Sequence, residues 1–92
     1  MGFDSGRAWR LSPQVAIRPE GFGALAYHYG SRRLSFLKSS ELRDLVLSIG
    51  DHPSAGEAIA AGGIPDGQRE RYESALATLA DSGMIVAAGR AS

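Results

Sequence analysis

Cysteine is absent from the 92 residues, which excludes a disulfide framework, a thiolate nucleophile and a cysteine-based zinc site. Histidine occurs only twice, as His28 between two tyrosines and His52 before a proline. The pair lacks the i, i+4 spacing of a helical metal site, so each reads as a structural or surface residue. No serine lies in a Gly-x-Ser-x-Gly setting. Gly21-Phe22-Gly23 lacks the further glycine of a phosphate loop and comes before a strand, whereas Gly62-Gly63 ends a helix. The carboxylates are scattered as on solvated faces. No catalytic constellation emerges, so an enzyme reading survives only if a partner supplies the chemistry, and no cofactor is expected. Long apolar runs are also missing: none approaches the roughly 20 residues of a membrane span. The opening Met1-Gly2-Phe3-Asp4-Ser5-Gly6-Arg7 has no basic stretch followed by an apolar one, so no secretory signal is read and a cytoplasmic, membrane-free protein is expected.

A charge surplus is missing too. Formal net charge is zero, which argues against sequence-independent nucleic-acid binding, because phosphate neutralisation requires excess cations. The charge is nevertheless polarised. Residues 1–38 carry six cations against two carboxylates, and residues 39–92 carry four against eight. Two readings stand: the halves attract and solubilise one another, or a basic sheet edge steers an acidic peptide.

What is present is a change of hydrophobic period. Gln14–Arg18, Ala24–Tyr29 and Arg33–Leu37 alternate with period two and read as three strands, the last two joined by a hairpin at Gly30-Ser31. Pro19 cannot donate to a ladder, so the first of them ends there or lies at a sheet edge. Leu42, Leu45, Val46 and Ile49 then form a helical stripe, with Ser39 or Ser40 as cap and Gly50 as stop. Ser54-Ala55-Gly56-Glu57 is a capping box opening a short second helix that ends at Gly62-Gly63. A third helix follows, with Asp66 as cap, a stripe of Tyr72, Ala75, Leu76 and Leu79, and Ser82-Gly83 as its close. Met84-Ile85-Val86 either adds a strand or packs on the core. Strands first and helices after give an α+β class, a small three-stranded antiparallel sheet followed by three helices in a winged-helix-like arrangement. The expected organisation is a flexible start over residues 1–8, one domain over 9–86 and a frayed end over 87–92.

A small open sheet must cover, blunt or use its unpaired edge. If Arg33–Leu37 is that edge, Arg33 and Lys38 blunt it, or an extended peptide pairs there by strand addition. The runs Trp9-Arg10-Leu11-Ser12-Pro13-Gln14-Val15-Ala16-Ile17-Arg18-Pro19-Glu20, Gly23-Ala24-Leu25-Ala26-Tyr27-His28-Tyr29-Gly30 and Arg33-Leu34-Ser35-Phe36-Leu37-Lys38 carry a resemblance. With Asp51-His52-Pro53-Ser54-Ala55 and Leu76 to Ile85 they resemble the peptide chaperones of the mycofactocin pathway, a branch of the PqqD-like recognition elements, over about residues 8–86. The resemblance implies a chaperone without chemistry of its own. It would bind a ribosomal precursor peptide as an added strand beside the third strand and against the third helix. It would then present the peptide to a radical S-adenosylmethionine (radical SAM) maturase that oxidatively decarboxylates the C-terminal tyrosine. Carried onto this chain, the peptide-binding residues are Arg33, Leu34, Ser35, Phe36 and Leu37 on the strand, with Arg69, Tyr72, Glu73, Leu76 and Leu79 on the helix. A monomer or weak homodimer is expected. The rival reading is a winged-helix DNA-binding regulator. The acidic third helix, with Asp66, Glu70, Glu73 and Asp81 against Arg69 and Arg71, speaks against it.

Overall fold

The computed structural model describes residues 3–88. The element order is β1 (Trp9–Leu11), β2 (Val15–Glu20), β3 (Gly23–His28), β4 (Arg33–Leu37), α1 (Ser40–Ser48), α2 (Ala55–Ala61), α3 (Arg69–Asp81) and β5 (Ile85–Ala87). The architecture is α+β. An antiparallel sheet of order β2-β3-β4 packs on α1, with α2 and α3 behind it, and a second, two-stranded antiparallel sheet pairs β1 with β5.

The three-stranded sheet follows from alternation. Ala24 pairs with Leu37 and Ala26 with Ser35, so Ala24, Ala26 and Leu37 share the inner face and are fully buried there. Small alanines on the central strand let α1 approach closely, and its Leu45 and Val46, with Ile49 just after it, join the core with Ile59 of α2 and Leu76 and Leu79 of α3. Pro19 lies inside β2, which is tolerated because β2 is an edge strand. The hairpin closes differently from the sequence reading. The left-handed residue is Arg32 (φ 62°), whose N–H donates to the His28 carbonyl at 2.8 Å. His28 Nδ1 accepts from the Ser31 N–H at 3.1 Å, a turn-building role for this histidine.

Gly23 is required where it stands. Its φ is +150°, and a Cβ there would lie 2.1 Å from the Leu37 carbonyl oxygen and 2.8 Å from the Ser39 backbone nitrogen. The β4–α1 junction therefore crosses directly over the start of β3. Ser39, rather than Ser40, then caps α1, its Oγ accepting from the Leu42 N–H at 3.0 Å.

Gly50 does not stop α1. The helix tightens into a 3-10 turn over Ile49–Asp51, and Gly50 packs beneath Arg10 of β1. Ser54 caps α2 by accepting from the Glu57 N–H at 3.1 Å. The two preceding donors of that helix, Ala55 and Gly56, bond the carbonyls of Arg7 and Ser5 at 2.9 and 2.8 Å. The segment read as a flexible start thus makes defined contacts from Phe3 on: Phe3 packs on Trp9 with ring centroids 5.1 Å apart. Asp66 is not the cap of α3. It opens a 3-10 turn, Asp66–Gln68, and α3 proper begins at Arg69 without a side-chain cap. The helix closes at Gly83 (φ 79°), with the Met84 N–H donating to the Leu79 carbonyl at 2.9 Å. Met84-Ile85-Val86 does both things open to it: Met84 and Ile85 are buried, and Ile85–Ala87 form β5. Ala87, read as part of a frayed end, pairs with Trp9, and residues 89–92 lie outside the described residues.

Candidate functional site

Of the two edges of the three-stranded sheet, β2 carries Pro19 and β4 carries no proline. The β4 edge faces a groove of about 430 Å³ whose other walls are the start of α1 and one face of α3. Leu37, Leu42, Ala75 and Leu79 give it an apolar floor, Phe36 and Tyr72 flank it, and Ser35, Ser39 and Thr78 add hydroxyls. Two of those hydroxyls are engaged locally, Ser39 in capping α1 and Thr78 with the Ser74 carbonyl at 3.2 Å. Lys38 and Arg71 also line the groove, and neither has a carboxylate within ion-pair distance among the described residues. No carboxylate lines it at all. The groove therefore offers an unpaired backbone edge, an apolar floor and uncompensated positive charge. That combination has the chemistry to accommodate an extended segment with apolar and acidic side chains.

The residues singled out from the sequence divide. Ser35, Phe36, Leu37, Tyr72 and Leu79 come together in the groove. Arg33 and Leu34 belong to the same edge strand but do not line it, and the Leu34 side chain is on the opposite face of the sheet, across from Tyr27. Leu76 is fully buried in the core. Arg69 and Glu73 pair with each other, Nε to Oε2 at 3.0 Å, and Arg69 reaches toward α2, where its guanidinium packs by Gly56. Sequence reasoning passed over Lys38, Ser39, Leu42, Arg71, Ala75 and Thr78 as site residues. The signal for the helical ones was the stripe Tyr72, Ala75, Leu79 with Arg71 and Thr78 beside it, one step round α3 from the core-facing Leu76. Among the described residues no group of three histidine or acidic side chains is placed to hold a metal ion, and no helix is long and apolar enough to cross a membrane.

The family model described as the peptide chaperone MftB family matches residues 8–86. The chain belongs to that family. Curated members named peptide chaperone MftB from Mycolicibacterium smegmatis and Mycobacterium ulcerans are each 50% identical to it over 84 residues, which is 91% of this chain and 82% and 77% of theirs. A third, from Mycobacterium tuberculosis, is 48% identical over the same length. No solved structure matches. The matched region takes in both sheets' strands as far as Val86 and all three helices, so the whole groove lies inside the part shared with the family.

Proposed function

We propose that this chain is a carrier for the precursor peptide of mycofactocin, which it holds as a fourth strand of the sheet, added beside β4 and clasped against α3. The observation that carries this reading is the open β4 edge forming one wall of an apolar groove flanked by Lys38 and Arg71. Five residues of β4 span about 17 Å, enough to pair with a peptide segment of similar length. The backbone of Arg33–Leu37 supplies the ladder. Leu42, Ala75 and Leu79 receive alternate apolar side chains over the buried Leu37, and Lys38 and Arg71 favour carboxylates among the rest. Family membership supports a peptide as the ligand, since the curated relatives are named as peptide chaperones. The chain performs no chemistry in this reading. It raises the concentration of the peptide at a radical SAM maturase by binding both.

Titration calorimetry with a synthetic mycofactocin precursor peptide, at two temperatures, tests the proposal. Saturable one-to-one binding is expected, with amide shifts in the NMR spectrum concentrated at Arg33–Leu37 and Tyr72–Leu79. Absence of heat at both temperatures, or shifts confined to other elements, overturns it. In that event retardation of duplex DNA at low salt would favour the winged-helix regulator.

A further inference from the structure

The sheet has a second face, and it is apolar. Strand register places Leu25 opposite Phe36 and Tyr27 opposite Leu34 on the side away from the helices. Phe22 packs at a tilt against Phe36 and Tyr29 edge-on against Tyr27, each with ring centroids 5.8 Å apart. Phe22, Tyr29, Leu34 and Phe36 are 50–61% exposed. From Phe22 to Tyr29 the patch runs about 23 Å along the sheet. A continuous apolar face of this extent on a small domain marks an interaction surface. Of the strand residues on this face only Arg18 and Glu20 are charged, and they pair with each other at 3.2 Å; Arg32 stands in the turn at the Tyr29 end. Two copies docked face to face would leave Arg32 without a carboxylate partner on the facing strands, so the charge favours a different protein, one whose apolar patch is ringed by carboxylates.

Position identifies that partner. A peptide added beside β4 extends the sheet, and its alternate side chains continue the outer face next to Leu34 and Phe36. A protein seated on the face touches carrier and peptide together. Phe36 belongs to both surfaces, lining the groove and packing against Phe22. We infer that the outer face of the sheet, from Phe22 to Tyr29, is the surface that docks the radical SAM maturase through an acid-rimmed apolar patch on that enzyme. The inference rests on the peptide-carrier reading above.

The test compares the parent chain with a Phe22→Ser/Tyr29→Ser double variant and with Arg18→Glu, measuring affinity for the precursor peptide and for the purified maturase. Neither Phe22, Tyr29 nor Arg18 lines the groove. Peptide affinity is expected to stay within threefold of the parent. Maturase affinity is expected to fall at least tenfold in the double variant and at least threefold in Arg18→Glu, the latter loss vanishing at high salt. The parent is also expected to bind maturase more tightly when loaded with peptide. Unchanged maturase affinity in variants that still bind peptide overturns the inference and leaves the carrier reading standing. So does a parent dimer, seen by sedimentation velocity, that the double variant abolishes while maturase binding persists. If the double variant fails to fold, the exposed Arg18→Glu change decides alone. A parent that does not bind the peptide overturns the carrier reading, and the docking inference with it.

Discussion

Replacing Gly23 by alanine puts the β4–α1 junction under direct strain. The added Cβ would sit 2.1 Å from the Leu37 oxygen and 2.8 Å from both the nitrogen and the oxygen of Ser39. Those are backbone atoms, so no side chain can swing away to make room. Overpacking of this kind costs about 1–3 kcal/mol, and a side chain at φ +150° adds about 1–3 kcal/mol of backbone strain. A total of about 3 kcal/mol or more is expected, out of roughly 5–14 kcal/mol for a chain of this length. In a thermal melt followed by circular dichroism this is a fall of about 12–24 °C. Gly21→Ala is the matched control: nothing lies within 4 Å of its added Cβ, so its melt should stay near the parent's. Relief of the clash at Gly23 would displace Leu37, Lys38 and Ser39, which line the groove, so the surviving folded fraction should also bind peptide more weakly. A Gly23→Ala protein melting within about 4 °C of the parent would refute the crossing of the junction over β3.

Two other perturbations separate groove from core. Reversing both groove cations, Lys38→Glu with Arg71→Glu, should weaken precursor-peptide binding by about 1–2 kcal/mol, roughly 5- to 30-fold in Kd, at low salt. The gap should close as salt approaches about 0.5 M, where the Debye length is only a few ångströms; a salt-independent loss would point to misfolding instead. Leu76→Ala removes a side chain that is 0% exposed, so urea unfolding should show a loss of about 2–5 kcal/mol, whereas an undiminished midpoint would contradict its place in the core.

The elements legible in the sequence are those whose signals are local. Alternation marked β2, β3 and β4, and the caps Ser39 and Ser54 were readable because each needs only a hydroxyl and an N–H three residues on. The pairing of β1 with β5 was not readable: three-residue strands have no period, and their partners are far apart in the chain. Asp66 misled as a cap because a good capping residue also starts a 3-10 turn, and Gly67 directly after it gives the helix little encouragement. The strand side of the groove was read from the open-edge argument. On the helix side the stripe Tyr72, Ala75, Leu76 and Leu79 straddles two surfaces, with Leu76 turned to the core and Ala75 to the groove. Only the placement of β4 beside α3 shows which is which. Arg69 and Glu73 lie off the groove, where as i, i+4 partners they satisfy one another, while Arg71 lines it.

The pairing of Trp9 with Ala87 has a temporal side. Translation delivers the chain from its start, so Trp9 emerges long before the strand that lies beside it. Until Met84 and Ile85 have left the ribosome, two of the largest fully buried side chains are missing and β1 has no neighbour to pair with. Closing that long loop is the slowest kind of contact to form. The groove is thus framed by a domain that is finished only in its last few described residues. If the groove carries peptide as proposed, ribosome-bound intermediates stalled before residue 84 should be poor captors of it.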